Sequence, residues 1–359
     1  MASSTFDIPR TQRAAQVCAY GKPLVINPSY PVPSPESLAP NECLVKLETA
    51  GVCQSDLHAR DGDWEGLRPP LHLVCGHEGV GRVVAIGAGT QDSSVLIGDR
   101  VGLKFMARTC LRCELCRKGN EASCQSSQVH GFTVDGTFAE YAVSYVDYVT
   151  PIPDGLSSAA ATPILCAGLT VYKGLKQCNA TAGEWIAIPG AGGGLGHLAI
   201  QYAVNLGLRV VAIDTGDSKR DLCLSLGAEK WIDFRESIDL VQDVIEATDG
   251  GAHAALVAAG GAAPYEQALY YLRPAGTLVA VGLGSGTAAM KAPITVFVIK
   301  ALKIVGSVLG NRQDVIEALD MAARGKVVTH YTTRRLEDLD SVLHELEQGK
   351  ITGRVVIEF

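Results

Sequence analysis

Apolar and polar positions along this chain follow two different rules, and the change between them falls near Ala167. From about Val17 to Thr150 the apolar residues come in short runs broken by Gly and Pro, among them CLVKLETAGVC, GVGRVVAIGAG, GDRVGLKF and TFAEYAV. Such runs predict short β-strands joined by tight turns, and hence a β-rich unit. Beyond PIPDGLSSAAATPIL, short, largely apolar runs (WIAIPG, RVVAID, KWIDF, AALVAAG, TLVAVG, KIVGSV) alternate with helical patterns such as LGHLAIQYAVNLG. Strands apolar on both faces need cover on both, which a parallel sheet with crossover helices supplies. Six of them make a full doubly wound sheet of the Rossmann kind. After Gly310, DVIEALDMAARG and LEDLDSVLHELEQG read as helices and RVVIEF as a last strand, expected to return to the first unit. The expected fold class is α/β: a β-rich domain over residues 1–167, completed by 309–359, and a parallel-sheet domain over 168–308.

Composition agrees with two packed domains. The 359 residues are 47% hydrophobic and 19% charged with 39 glycines, and no apolar run approaches the ~20 residues of a membrane helix. The opening MASSTFDIPRTQRAAQV carries Asp7 and Pro9 and has no apolar stretch of the kind a secretory signal needs, so a reducing, cytoplasmic setting is expected. Net charge is −7, from 31 basic and 38 acidic residues, without a basic block that would mark a nucleic-acid footprint. A small-molecule partner is expected, with neither nucleic acid nor membrane.

Chemistry is written most clearly in CLRCELCRKGNEASC. Cys110, Cys113, Cys116 and Cys124 form a C-x2-C-x2-C-x7-C cluster suited to one tetrahedral zinc on four thiolates. An iron–sulfur centre could use the same ligands, whereas a disulfide knot does not suit a long chain without a secretion signal. Four sulfur ligands close a zinc site to substrate, so this one is structural and catalysis is expected elsewhere. In WIAIPGAGGGLGHLAIQYA a glycine-rich turn joins a buried strand to an amphipathic helix, where free backbone N–H groups can hold a pyrophosphate. Gly190, Gly193 and Gly196 are spaced one residue more widely than the usual fingerprint, and a tight turn without ligand would read the same way. Asp214, ending the next strand, adds a carboxylate able to accept from both adenosine ribose hydroxyls and to repel a 2′-phosphate. NAD is therefore expected over NADP, with Lys219 a second ribose contact. His197, opening the following helix, is expected to be solvated.

Three further segments carry metal-ligand residues that no spacing rule unites: Cys53 in GVCQSDLHARDGDW, His77 and Glu78 in CGHEGVG, and Cys166 in ILCAGLTVYKG. Together with the four-cysteine loop, GGGLGHLAIQYA, SVLGNR and ITGRVV, in this order and spacing, they resemble the zinc-dependent alcohol dehydrogenases of the medium-chain dehydrogenase/reductase family, in particular its microbial, tetramer-forming branch. The resemblance spans nearly the whole chain. It implies a GroES-like catalytic domain and a catalytic zinc on Cys53, His77 and Cys166, with the fourth position open to substrate oxygen, to water or to Glu78. Asp56 would orient His77. Thr170, Gly194, Leu195 and Arg354 would join the cofactor site, and Ser55, Trp64 and Phe105 the substrate pocket. It also implies a homo-tetramer and hydride exchange between NAD(H) and an alcohol, aldehyde or ketone.

Departures from the branch pattern set further expectations. Ser55 is expected to relay the substrate's proton toward a surface base, which the resemblance puts at Asp61; a carboxylate of reference pKa about 3.9 is a weak base near neutrality. Gln54 stands where a basic residue often contacts the pyrophosphate, and Arg60 where a bulky aromatic is common. Ser55, smaller than the usual threonine, widens the pocket for bulkier or secondary alcohols. These departures leave two alternatives: a pathway-specific reductase of a larger metabolite, including conjugate C=C reduction, and a non-catalytic dinucleotide-binding relative.

Overall fold

The computed structural model describes residues 6–284 and 286–359. Its two main sheets follow the two sequence grammars. The parallel sheet has six strands in the spatial order Lys230–Asp233, Arg209–Asp214, Trp185–Pro189, Ala252–Val257, Leu272–Ala280 and Lys303–Gly306. These are the six apolar runs, in the 3-2-1-4-5-6 arrangement of a doubly wound fold. Strand order reverses between Trp185–Pro189 and Ala252–Val257, which opens a crevice beyond their carboxyl ends.

The second sheet has seven strands and is built mainly from the first part of the chain. Glu42–Val52, Gly79–Ile86, Arg100–Leu103 and Thr150–Pro151 pair antiparallel in succession, and Tyr141–Tyr145 pairs on Glu42–Val52. The other edge of Glu42–Val52 takes the late strand Arg354–Glu358, followed by Tyr331–Arg334. Residues about 300 positions apart thus share one sheet, and Val356 and Ile357 are wholly buried in it.

Two helices tie the sheets together. Ala167–Gln177 buries Leu169, Val171 and Leu175, with Cys166 at its N-terminus. Arg312–Ala323 packs against it, started by a reciprocal cap in which Asn311 Oδ1 accepts from the Asp314 N–H (2.9 Å) and Asp314 Oδ2 from the Asn311 N–H (2.9 Å). The buried Asp314 also takes Lys176 (2.8 Å) and Lys173 (3.5 Å) from the facing helix. This joint fixes Cys166 relative to the first sheet. No helix among the described residues is long and apolar enough to cross a membrane.

Candidate active site

The four-cysteine loop gathers its thiols as its spacing predicts. Sγ separations are 3.9 Å for Cys110–Cys116, 3.9 Å for Cys113–Cys124 and 3.6 Å for Cys110–Cys124. Four sulfurs about 2.3 Å from one zinc stand roughly 3.8 Å apart in a tetrahedron, so the donor set fits that ion. Backbone N–H groups of Cys113 and Cys116 point at the sulfurs of Cys110 and Cys113 (3.3 and 3.5 Å), an arrangement that favours thiolates. Backbone N–H groups of Arg112 first and Cys113 second hold the Cys110 thiol down to about 6.

A second cluster forms where three distant segments meet. Ligand atoms of Cys53, His77, Glu78 and Cys166 all lie within 4.8 Å of one another. Cys53 follows the strand Glu42–Val52 and caps the short helix Gln54–Asp61; Cys166 sits at the break before Ala167–Gln177. His77 stands just before Gly79–Ile86. Its Nδ1 meets Asp56 Oδ1 at 2.9 Å, while Nε2, fully buried, has no hydrogen-bond partner among the described residues. A carboxylate on Nδ1 fixes that proton and leaves the Nε2 lone pair free, as a metal-ligating imidazole requires. The other Asp56 oxygen accepts the Cys53 N–H at 2.9 Å, so one carboxylate aims the histidine and starts the helix that carries the cysteine. Hydrogen bonding between the two buried thiols, aided by Arg354 and His77, lowers the Cys53 thiol and leaves Cys166 raised. Two sulfurs and an imidazole nitrogen in a buried site fit a catalytic zinc with an open position.

Glu78 is the fourth member of this cluster. One oxygen is paired with the buried Arg354 guanidinium and is 3.8 Å from His77 Nε2, while the other has no hydrogen-bond partner among the described residues. Burial pushes the carboxyl up to about 7 despite the arginine. The space it occupies exists because residue 51 is glycine: a Cβ there would lie 2.5 Å from Glu78 Oε2 and 2.8 Å from Cδ. Gly51→Ala is therefore expected to displace Glu78 toward the ligands. Because misplacing reacting groups by ~1 Å can cost about 100-fold, kcat/KM should fall by roughly that factor. Zinc content and NADH-linked rate measured together check it.

A single cavity of about 1170 Å³ runs from this cluster to the crevice of the parallel sheet. Cys53, Ser55, Trp64, Phe105 and Cys166 line one end; Thr170, Gly190, Gly193, Gly194, Leu195, Asp214, Lys219 and Arg354 line the rest. Gly190 has φ 81°, and a Cβ on it would press on the Ala259 backbone at 2.9 Å. Gly196 lies behind the lining, where any Cβ would collide with the Gly190 carbonyl. Asp214, 5% exposed, accepts from Gly192 N–H (2.9 Å), Thr215 N–H (2.9 Å) and Lys219 Nζ (3.2 Å), which holds the carboxylate at the end of its strand. His197 is not solvated. It is wholly buried, hydrogen-bonded between the Gly193 carbonyl (3.0 Å) and the His330 N–H (3.3 Å), and burial pushes it down to about 3, so it is neutral and structural.

Comparison with known proteins decides the family. Residues 39–154 match the alcohol dehydrogenase GroES-like domain and residues 194–324 the zinc-binding dehydrogenase domain. The chain is 46% identical to alcohol dehydrogenase 1 of Emericella nidulans, over 98% of its own length and 99% of the relative's, and 44% identical to an alcohol dehydrogenase of Schizosaccharomyces pombe, over 98% and 99%. The chain belongs to the zinc-dependent alcohol dehydrogenases. Among solved structures it is similar to an alcohol dehydrogenase of Aeropyrum pernix (TM-score 0.87, 30% identity, 97% of this chain and 100% of that one). It is also similar to acetophenone reductase of Geotrichum candidum in complex with NAD (TM-score 0.87, 27% identity, 99% of each). This alcohol dehydrogenase is an NAD-dependent oxidoreductase with zinc as its metal.

Within the alcohol dehydrogenase frame, the helix Gln54–Asp61 shows what the sequence left out. Asp61 does not line the cavity; its carboxylate is held by Arg60, Nε to Oδ1 at 2.7 Å and Nη2 to Oδ2 at 3.2 Å. Arg60 is likewise engaged, with Glu347 4.0 Å away, so it offers no free cation to substrate. His58 lines the cavity instead. It shares a helix face with Ser55, three residues earlier, and stacks on Trp64 with ring centroids 4.6 Å apart. That i, i+3 relation was the available signal, because Ser55 and His58 follow Cys53 on one short helix.

Proposed function

We propose that this alcohol dehydrogenase interconverts small and medium-sized primary or secondary alcohols with their aldehydes or ketones, using NAD(H), and that His58 rather than Asp61 receives the proton. The observation that supports this best is the continuous cavity joining the Cys53/Cys166 thiols to Asp214. It lets one bound molecule place a reactive ring near the metal ligands while its ribose meets the carboxylate. Bound zinc supplies a Lewis acid for the substrate oxygen and bound NAD the hydride acceptor or donor.

The chain's own residues supply the rest. Cys53, His77 and Cys166 would hold the catalytic zinc, and Cys110, Cys113, Cys116 and Cys124 the structural one. Trp64 and Phe105 give the substrate end an apolar wall, with Phe132 stacked behind Trp64 at 5.7 Å and against Phe105 at 5.3 Å. The Ser55 hydroxyl beside Cys53 can hold the substrate's proton, and the glycine turn and Arg354 can receive the pyrophosphate. Conjugate C=C reduction is not favoured, since the full-length relatives are alcohol dehydrogenases. A complete, buried ligand set likewise weighs against a non-catalytic relative.

Following NADH and NADPH absorbance across small, aromatic and branched alcohols, aldehydes, ketones and enones, with product identification, tests the reading. Saturated carbonyl products in place of alcohols would overturn it. Asp214→Ser should lower kcat/KM for NAD about 30-fold, since roughly 2 kcal/mol of charge-assisted ribose hydrogen bonding is lost, and should raise that for NADP. An unchanged NAD/NADP ratio would remove Asp214 from the cofactor role.

A homo-oligomer is also proposed. The helix Ile294–Lys300 buries none of its residues, and Ile294, Val298 and Ile299 are 79%, 71% and 80% exposed. It lies next in sequence to Lys303–Gly306, the edge of the parallel sheet, which offers unpaired backbone groups to a second copy. Eleven free cysteines support a reducing compartment such as the cytoplasm.

A further inference from the structure

We propose that Asp63 is the positioning residue for His58, selecting the tautomer that lets this histidine accept a proton from the cavity. The inference rests on the alcohol dehydrogenase reading and deepens it. The helix Gln54–Asp61 ends at Gly62, whose left-handed conformation (φ 64°) lets its N–H bond back to the His58 carbonyl at 2.9 Å. The chain reverses there and brings Asp63 onto the ring it has just passed. Both Asp63 oxygens lie 3.0 Å from His58 Nδ1. Arg68 Nε donates to the Gly62 carbonyl at 2.7 Å and clamps the turn.

A carboxylate can only accept at this contact, so Nδ1 carries the hydrogen. The remaining ring atom, Nε2, is buried without a hydrogen-bond partner among the described residues, on a ring that lines the cavity. Trp64, stacked on the imidazole, blocks ring rotation, and its own Nε1–H reaches the Gly284 carbonyl at 3.4 Å. The histidine side chain is 9% exposed and the aspartate 31%, so the dyad reaches from the cavity wall to the surface.

In alcohol oxidation the C–H electron pair leaves as hydride to NAD⁺, and the alcohol O–H bond breaks. Its proton, handed on at Ser55, ends on His58 Nε2. The Nδ1 proton stays on the ring and is donated to Asp63, whose charge offsets that of the imidazolium formed. The products are carbonyl compound, NADH and protonated His58, which releases its proton to solvent before the next turn. Without the carboxylate the imidazole is free to carry its hydrogen on Nε2, where it cannot accept.

Alcohol oxidation by the zinc-loaded enzyme tests this, using Asp63→Ala, Asp63→Asn, Asp63→Glu, His58→Gln and the double variant His58→Gln/Asp63→Ala. General acid–base groups contribute about 10²- to 10⁴-fold, and orienting one is worth a part of that. Asp63→Ala should lose roughly tenfold in kcat with little change in KM for the alcohol, and its solvent deuterium isotope effect should rise. Added formate should restore part of the rate, and Asp63→Glu should keep most of it. The double variant should be no slower than His58→Gln alone, since the aspartate acts through the histidine. Asp63→Asn, isosteric, keeps the turn and serves if the alanine variant does not fold. Full kcat in Asp63→Asn, no rescue by formate, or additive losses in the double variant would overturn the proposal while leaving the dehydrogenase reading intact. Absence of NAD-linked alcohol oxidation in the unmodified enzyme would overturn that reading itself.

Discussion

Cys53→Ser is expected to reduce NAD-linked turnover by about three to five orders of magnitude and to lower bound zinc from two to one per chain. A metal acting on the substrate oxygen is worth several kcal/mol of barrier, and each ~1.4 kcal/mol is tenfold in rate. Serine keeps the size of the side chain but not its affinity for zinc. The backbone N–H of residue 53 still donates to Asp56, so the helix Gln54–Asp61 and its cavity wall should persist. Thermal stability should change little. Zinc by plasma mass spectrometry, alongside single-turnover rates, checks both statements, and a variant with one zinc and full activity would refute a catalytic metal at this cluster. Asp56→Asn makes the graded comparison: the ligands remain and only the orienting charge on His77 goes, for which a 10- to 100-fold loss is expected.

Cys113→Ser is expected to act on stability rather than chemistry. Between Cys110 and Cys124 only Glu121 and Cys124 are buried, so this loop has almost no apolar core of its own and depends on the metal for its shape. The loop in turn anchors a distant helix: Glu121 accepts the Arg312 N–H at 2.8 Å, and Asn311 Nδ2 donates to the Gly119 carbonyl at 3.1 Å, both at the start of Arg312–Ala323. Losing the ion should loosen that joint. A loss of about 4 kcal/mol would lower Tm by roughly 10 °C for domains of this size. Calorimetry with zinc analysis measures it. The remaining zinc should be the catalytic one, and residual activity at low temperature should approach that of the unmodified enzyme.

Much of this was legible from the residues, for reasons that differ by element. The central parallel strands, Trp185–Pro189, Arg209–Asp214 and Ala252–Val257, could be read because a strand buried on both faces is largely apolar and stands out against its helical neighbours, whereas the edge strands Lys230–Asp233 and Lys303–Gly306 are mostly exposed or half-buried and are legible only as short apolar runs at the right spacing. The four-cysteine loop could be read because its ligands are local, so spacing in sequence is spacing in space. The catalytic cluster was different: Cys53, His77 and Cys166 come from three elements, and only family resemblance joined them. His197 is buried rather than solvated because the segment around His330, more than 130 residues away, packs on it, and no local pattern reports that contact. The contact between His58 and Asp63 is not legible in the sequence because the turn at Gly62 folds residue 63 back onto residue 58. A reading by linear offset looks along a helix and does not see past its cap. Arg60, which stands where a bulky aromatic is common, is neutralised by its immediate neighbour Asp61.

The strand Arg354–Glu358 sets an order of events during synthesis. Its partner Glu42–Val52 leaves the ribosome some 300 residues earlier and must wait for it, whereas every strand of the parallel sheet lies between residues 185 and 306. The parallel-sheet half can therefore assemble while translation continues, and the half that carries most of both metal-ligand clusters closes only at the end. At about 5–20 residues per second the delay is tens of seconds, during which an open β-edge and reactive thiols are exposed in the nascent polypeptide. Low expression temperature and available zinc should matter more to the yield of active enzyme than any property of the finished molecule.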